Sequence, residues 1–323
     1  MSLCQHISFP WYLLIAAMCF SCSGDQRKVK STPPGGFSQS SHLLDVKMVK
    51  IPAGSFTGRK CSTTDLRCPK GDSNVADETL MDCAPKDVVC TNWIWDHKVT
   101  LTNSFFLSAT EVTQRQYQVL MGENPSKYQS TLDKKRYLNH PVEQVSWFDA
   151  VRFANALSAA QGLPQCYDED GKVIGERSIY ECKGYRLPTS AEWEHAVRAG
   201  SKAGQDDDLA RIAWYDLNTD NETKPVGQKQ ANAFGLYDTL GNVWEWCHDG
   251  YQSLEVRDGR IPLEVFVDPV WYGNAGFKVS RGGSYYDFPA SVNVRYVYPY
   301  QPGERARFIG FRLARSASGN DAN

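Results

Sequence analysis

Residues 184–200, GYRLPTSAEWEHAVRAG, contain the local signals that decide the fold at the centre of the chain. Thr189 and Glu192 stand three residues apart, the spacing of a capping box, in which each side chain satisfies a free backbone N–H group at the start of a helix. Trp193 begins an apolar stripe at helical spacing, and Gly200 ends the run. The stretch therefore predicts a short amphipathic helix that packs its apolar side inward.

Two further capping boxes predict helices on the N-terminal side of this stretch. Thr113 with Gln116 starts a short helix, and Ser146 with Asp149 starts a longer one that runs to Gly162. Because these signals are local, each helix is predicted independently of the rest of the chain.

The remainder of the sequence has only short apolar or alternating runs bounded by Gly, Pro and Asn, a pattern typical of strands. The clearest runs are residues 48–51, 99–102, 105–107, 278–280 and 308–313. A few helices among many short strands and long loops indicate the α+β class. We expect a single loop-rich domain over residues 45–315.

Eight motifs follow one another along the chain: MVKIPAGSF at 48–56, EVT at 111–113, HPVEQVSW at 140–147, GYRLPTSAEWE at 184–194, NAFGLYD at 232–238, GNVWEW at 241–246, RGGSY at 281–285 and GFR at 310–312. Together, in this order, they resemble the formylglycine-generating enzyme family, also called sulfatase-modifying factors. The resemblance implies the fold of that family, which is related to the C-type lectin fold, over nearly the whole chain after its N-terminal segment.

The resemblance also implies a chemistry, the oxidation of a substrate cysteine to formylglycine with molecular oxygen and copper held by two cysteines. The positions of those cysteines correspond to Asp287 and Val292 in this chain. Soft thiolates select Cu(I), and neither residue supplies a thiolate. We therefore expect no copper, no catalytic residues of the family type and no formylglycine-generating oxidase activity.

Residues 238–245, DTLGNVWE, resemble a calcium site of the family. The implied ligands are the side chains of Asp238 and Glu245 and the carbonyl oxygens of Gly241 and Val243. Such oxygen donors suit Ca²⁺, which takes six to eight of them in loose geometry. The alternative is that the carboxylates only cap turns and bond neighbouring N–H groups.

An aromatic and basic tract, residues 285–312, borders the position of the peptide-binding groove in the family. The groove residues expected from the resemblance are Trp244, Ser284, Tyr286 and Asp287. Aromatic faces with interspersed guanidinium groups suit an extended peptide or a glycan. Alternatively, the arginines pair with internal acids and the tyrosines fill the core.

The N-terminal segment predicts export from a bacterial cytoplasm. Residues 9–20 form an apolar run that is too short to span a bilayer and has the length of a signal-peptide core. Residues 1–21 are predicted to be a lipoprotein-type signal peptide and Cys22 the lipidated residue, which anchors the protein to a membrane in the periplasm or at the outer membrane. A simple cleaved signal is the alternative. Residues 22–44 and 316–323 are predicted to be a disordered linker and tail.

Six of the ten cysteines are candidates for disulfides in an oxidising compartment. They lie in two polar stretches and are Cys61, Cys68, Cys83, Cys90, Cys166 and Cys182. A zinc site built from the first four is disfavoured, because zinc ligands usually come in closer pairs. The pairing among those four stays open.

The net charge of −2, without a basic block, argues against a nucleic-acid partner. Two functions remain. The first is a non-catalytic pseudoenzyme that serves as a binding or assembly module of the bacterial envelope, with an envelope protein, a peptide or a glycan as its partner. The alternative is a periplasmic enzyme of different, oxidative tailoring chemistry on the same fold.

Overall fold

The structure is a computed structural model, and it describes residues 44–61, 66–67, 89–90, 93–129, 136–176, 178–201, 208–251, 264–273 and 276–317. These residues belong to a unit formed by residues 40–323. No helix in these ranges is long and apolar enough to cross a membrane. The predicted signal peptide, Cys22, Cys68, Cys83 and the side chains of Cys61 and Cys90 lie outside the described residues.

The three predicted capping boxes are present, each with both of its reciprocal hydrogen bonds. The α-helices are α1 (Gln114–Met121), α2 (Trp147–Ala160), α3 (Ser190–Arg198) and α4 (Leu209–Ile212). Helix α3 is capped at its C-terminus by Ala199, whose φ of 43° is left-handed, one residue before the predicted Gly200. The local signals therefore predicted α1, α2 and α3 almost to the residue, whereas α4 carries no such signal.

The strands are short, as predicted, and most are separated by long loops. They are β1 (Met48–Ile51), β2 (Gly54–Cys61), β3 (Leu66–Arg67), β4 (Val89–Cys90), β5 (Trp93–Leu101), β6 (Phe105–Ser108), β7 (Trp244–Gly250), β8 (Glu264–Val267), β9 (Lys278–Arg281), β10 (Val297–Tyr300), β11 (Ile309–Gly310) and β12 (Ala314–Ser316).

Four small sheets assemble these strands, in the orders β1-β6-β12, β10-β9-β7-β11, β2-β5-β8 and β3-β4. Strand β11 runs parallel to β7, and β8 runs parallel to β5, while the other pairs are antiparallel. Mixed pairing with separate helices confirms the α+β, loop-rich class.

Two domain boundaries and several strands differ from the sequence prediction. Strand β5 begins at Trp93 and not at residue 99, and β2, β3, β4, β7, β8, β10 and β12 lie outside the predicted runs. Leu44, expected in the linker, is buried in the core, and Ser316, expected in the tail, is the last residue of β12. The predicted strand at 308–313 pairs in a sheet only at Ile309–Gly310. Beyond Gly310, the carbonyl of Phe311 accepts from the Val112 N–H, and the carbonyl of Leu313 accepts from the N–H of Ser108 at the end of β6. The run therefore passes from the sheet that contains β7 to the sheet that contains β6.

The largest apolar cluster lies under α1 and α2 and includes the buried strand pair β7 and β11. The helical spacing predicts an apolar stripe of Phe148, Val151, Ala154 and Leu157 on helix α2; the last three are buried, and Phe148 is partly buried. Cys166 and Cys182 form a disulfide with a Cα–Cα distance of 5.7 Å, so this predicted candidate pair is confirmed.

Candidate functional site

Strand β7 brings three of the family-like motifs together. Glu245 of β7 lies opposite Arg281 of β9 on one side and opposite Gly310 of β11 on the other. Gly241, just before β7, has a φ of 76°, and a Cβ atom there would lie 2.1 Å from the Trp214 carbonyl oxygen. Only glycine fits this turn, which sets the entry of the chain into β7.

Asp287, at the first of the two copper-cysteine positions, is held by neighbouring side chains. Its Oδ2 accepts a hydrogen bond from Trp244 Nε1 at 2.8 Å and another from the Ser284 hydroxyl. Burial raises the pKa of Asp287, and these two hydrogen bonds act in the opposite direction. The carboxylate is therefore fixed in place by its donors.

Val292, at the second position, lies in an apolar environment. It is fully buried in a cluster that includes Trp193, Cys247 and Val279. Cys247 is the one free cysteine of the described residues, and burial raises the pKa of its thiol well above the usual value. A protonated, buried thiol is a poor metal ligand, because ligation requires the thiolate.

The other expected groove residues differ in their exposure. Trp244 and Ser284, which donate hydrogen bonds to Asp287, are buried, whereas Tyr286 is 48% exposed. Arg307, which lies in the predicted tract, places its guanidinium carbon 4.8 Å from the centre of the Tyr286 ring. We call the surface formed by Tyr286, Tyr296, Tyr298, Tyr300, Arg307 and Phe308 the aromatic surface.

Two arginines of the tract pair with internal acids, as the alternative interpretation of the tract expects. Arg305 NH2 lies 2.7 Å from Asp149 Oδ2, and Arg312 pairs with the buried carboxylate of Glu245. These two guanidinium groups are occupied by internal acids, so the aromatic surface owes its basic character to other residues.

Glu245, a predicted calcium ligand, has its carboxylate bonded to three N–H groups. Arg312 Nε and Trp193 Nε1 both lie 2.6 Å from Oε2, and Arg312 NH2 lies 2.6 Å from Oε1. Burial raises the pKa of Glu245, and the charge of Arg312 opposes that effect. The positive charge that faces the Glu245 carboxylate is therefore the guanidinium group of Arg312.

Asp238, the second predicted carboxylate ligand, is only partly satisfied. Its Oδ2 accepts the Gly227 N–H at 2.6 Å, but its Oδ1 and both carboxylate oxygens of Glu111 have no hydrogen-bond partner among the described residues. Burial raises the pKa of Asp238 to about 6 and that of Glu111 well above its usual value. Sequence reasoning did not assign Glu111 to this site, although the EVT motif that contains it was recognised.

These residues fit a calcium ion only in part. The unpartnered oxygens of Asp238 and Glu111 are donors of the right kind. The bidentate contact with Arg312, however, already neutralises Glu245. Within the described ranges, no group of three or more His, Cys, Asp or Glu side chains is arranged to hold a metal ion. Calcium at Asp238, Gly241, Val243 and Glu245 thus stays a prediction.

Comparisons with known proteins agree on one family. The family model described as "Sulfatase-modifying factor enzyme 1-like domain" matches residues 37–317. The chain is 28% identical over 291 residues to the "Chaperone protein LppX" of Paenibacillus barcinonensis, covering 79% of this chain and 93% of that protein. It is 31% identical over 206 residues to the "Formylglycine-generating enzyme" of Streptomyces coelicolor, covering 55% of this chain and 54% of that enzyme. It thus spans about half the length of that enzyme.

Two solved structures resemble the chain over most of its length. "Treponema denticola variable protein 1" superposes with a TM-score of 0.60 at 27% identity, covering 84% of this chain and 95% of that one. CarF superposes with a TM-score of 0.55 at 27% identity, covering 85% of this chain and 100% of that one.

Proposed function

We propose a function for this chain, which belongs to the sulfatase-modifying factor enzyme 1-like domain family. We infer that it is a binding or assembly module of the bacterial envelope without formylglycine-generating activity. The observation that carries the proposal concerns the two positions that the resemblance assigns to the copper-binding cysteines. Those positions are Asp287 and Val292.

The surroundings of these two residues support the loss of copper chemistry. Asp287 offers a hard carboxylate oxygen that is already engaged with Trp244 and Ser284, and Val292 offers no donor atom. Cu(I) prefers polarizable sulfur, and the free thiol of Cys247 is buried in the apolar cluster around Val292. A copper-dependent oxidation has no ligand pair at this site.

The aromatic surface supports binding as the remaining activity. Tyr286 and Tyr298 are its most exposed members, at 48% and 39%. The guanidinium of Arg307 beside Tyr286 adds a positive charge to a flat aromatic face. Such faces stack on the rings of sugars or on peptide side chains, while a guanidinium pairs with a carboxylate. An extended peptide or a glycan of the cell envelope suits this chemistry.

The similarity to the chaperone protein LppX adds support from outside the site. That alignment covers nearly the whole length of LppX, and a chaperone acts by binding another protein. Location in the envelope rests on the apolar run at 9–20 and on Cys22, which are sequence signals for export and lipid attachment. An envelope protein is therefore included among the proposed partners.

The loss of activity can be tested with purified protein, Cu(I) and a cysteine-containing substrate peptide. We expect no tight uptake of one equivalent of Cu(I) and no aldehyde product by mass spectrometry, under conditions in which the Streptomyces coelicolor enzyme gives both. Stoichiometric copper binding together with aldehyde formation would overturn the proposal.

The binding function can be tested with a double variant, Tyr286→Ala with Tyr298→Ala, compared with Tyr272→Ala. Tyr272 is 76% exposed and lies outside the aromatic surface, so it is a matched control. In crosslinking from intact cells, we expect the double variant to lose partners that both the wild type and Tyr272→Ala retain. Retention of every partner by the double variant would show that the aromatic surface is not the binding site.

A further inference from the structure

One oxygen of the Asp287 carboxylate has no partner. Its Oδ2 accepts both the Trp244 N–H and the Ser284 hydroxyl, whereas no residue in the described ranges forms a hydrogen bond or an ion pair with Oδ1. Oδ1 is not among the buried polar atoms that lack a partner, so it is in contact with solvent. The bonds to Oδ2 hold the carboxyl group in place, and Oδ1 is available to a ligand.

Rings of the aromatic surface lie close to this carboxyl group. The Trp244 ring, whose N–H bonds to Asp287, lies 5.9 Å from the Tyr296 ring and 5.8 Å from the Tyr298 ring. Tyr298 and Tyr300 are two residues apart on β10, so they share one face of the sheet, and their rings lie 4.7 Å apart. Burial, followed by the charge of Asp287, raises the pKa of Tyr300, so the carboxyl group is also near that ring.

A second carboxyl group lies beside Asp287. The backbone N–H of Asp216 donates to the Asp287 carbonyl oxygen at 3.2 Å, and Asp216 Oδ1 is buried without a hydrogen-bond partner among the described residues. Burial raises the pKa of Asp287, and the charge of Asp216 adds to that effect. Neither side chain forms an ion pair within the part of the chain that the structure describes. The two acids therefore favour a ligand that brings a positive charge.

Arg307 does not supply that charge. Its guanidinium group lies against the Tyr286 ring and forms no ion pair with Asp287 among the described residues. Burial raises the pKa of Glu143 to about 7, and the charge of Arg307 opposes that effect, so Arg307 lies near a different acid.

The position of Oδ1 favours one kind of cation. Asp287 is partly buried, whereas Tyr286 and Tyr298 are exposed, so a cation has to reach past exposed rings. A lysine side chain has an apolar stem that packs on such rings and a compact ammonium group that needs only one acceptor oxygen. A guanidinium group pairs best with two carboxylate oxygens, and Oδ2 is already occupied. The ammonium group of an amino sugar is attached directly to its ring and lacks this reach.

We propose that Asp287 Oδ1 and the neighbouring rings of the aromatic surface bind the ammonium group of a lysine side chain, carried by an extended peptide segment of the partner protein. This inference rests on the binding function proposed above and names the chemistry of its ligand. The attraction of the cation to the ring faces adds to its charged hydrogen bond with the carboxylate.

Isothermal titration calorimetry on the full chain tests the proposal with peptides that differ at one position. The probe is the peptide Ala-Tyr-Lys-Tyr-Ala with blocked termini, and two others carry acetyllysine or arginine in place of the lysine. Acetylation removes the charge and keeps the stem. We expect the lysine peptide to bind about tenfold more tightly than the acetyllysine peptide, the usual effect of one charged hydrogen bond, and more tightly than the arginine peptide. Its affinity should fall as salt is raised.

The variant Asp287→Asn links this preference to the site, because it removes the charge and keeps the shape of the side chain. In this variant, the lysine and acetyllysine peptides should bind equally. Asp216→Asn leaves the bonds of Asp287 to Trp244 and Ser284 in place, and it should reduce the preference by less. Asp170→Asn is the control, since Asp170 is 78% exposed in a surface pair, and it should bind all three peptides like the wild type.

Four results would overturn the proposal. The first is no binding of the lysine peptide at millimolar concentration and low salt, and the second is equal affinity of the wild type for the lysine and acetyllysine peptides. The third is a lysine preference that survives in an Asp287→Asn variant with the wild-type Tm. The fourth is a glucosamine tetramer that binds more tightly than the lysine peptide, since the ligand would then be a glycan. The proposed binding function keeps its own test, because crosslinking with the Tyr286→Ala and Tyr298→Ala double variant measures partner loss whatever the charge of the ligand.

Discussion

Arg312 and Glu245 form a buried two-point ion pair, in which Arg312 Nε and NH2 each lie 2.6 Å from a different oxygen of the Glu245 carboxylate. The same guanidinium group donates to the carbonyls of Ser108 and Tyr237 at 3.0 Å and 2.9 Å. The GFR motif is thereby tied to the GNVWEW motif and to the end of strand β6. Arg312 is a structural crosslink among distant segments.

Replacing Arg312 with Gln should destabilise the protein by about 3–5 kcal/mol, because Glu245 would remain buried without its charge partner. Urea unfolding followed by tryptophan fluorescence measures the change. Arg136→Gln is the control, since Arg136 pairs with Glu222 at the surface, where its side chain is 61% exposed. That control should cost less than about 1 kcal/mol. Similar losses in the two variants would show that burial of the Arg312 pair is not what stabilises this region.

The calcium prediction can be decided by thermal unfolding with and without a chelator. If the ion binds the native state at Asp238, added Ca²⁺ raises Tm of the wild type. We expect Asp238→Asn to reduce this rise, because it removes the negative charge of the carboxylate whose Oδ1 has no hydrogen-bond partner among the described residues. The absence of any shift at millimolar Ca²⁺ in the wild type would contradict the calcium prediction.

His140 should make the protein sensitive to mild acid. Its Nδ1 lies 3.0 Å from Thr223 Oγ1, and burial lowers its pKa from 6.5 to about 4. Between these two values the unfolded chain binds a proton that the folded chain does not, so this group lowers the stability as the pH falls from 6.5 to about 4.

The His140→Gln variant isolates this contribution. Urea midpoints measured across the same pH window should fall less steeply with acid in the variant than in the wild type. Equal slopes would mean that protonation of His140 is not linked to unfolding.

Cys22 decides whether the protein is anchored. If Cys22 carries a lipid, Cys22→Ala should move the protein from the membrane fraction to the soluble fraction after cell lysis, because the acyl chains supply the membrane affinity. Cys19→Ala, three residues earlier, is the matched control and should leave the distribution unchanged. Membrane association that survives in Cys22→Ala would contradict the lipoprotein prediction.

Local signals in the sequence were enough to predict α1, α2 and α3, but not the short helix α4, which has no side-chain cap. Thr113, Ser146 and Thr189 each cap a helix through a residue three positions later, so these interactions depend on no distant part of the chain. The α+β class followed from these few helices together with the many short strand-like runs bounded by Gly, Pro and Asn. The family resemblance then located the motifs that meet at strand β7.

Features that depend on long-range contacts could not be predicted in this way. All residues of β7 are buried, so the strand lacks the alternating pattern that reveals a strand with one solvent-exposed face. The unpartnered oxygens of Glu111 and the pairing of Glu245 with Arg312 depend on segments far apart in the sequence.

The sheet β1-β6-β12 has a consequence for biosynthesis. Strand β6 is bordered on one side by β1, near the start of the domain, and on the other by β12, whose last residue is Ser316. A nascent chain still held by the ribosome cannot complete this sheet until its final strand emerges. Closure of this sheet therefore has to wait until nearly all of the domain has been synthesised.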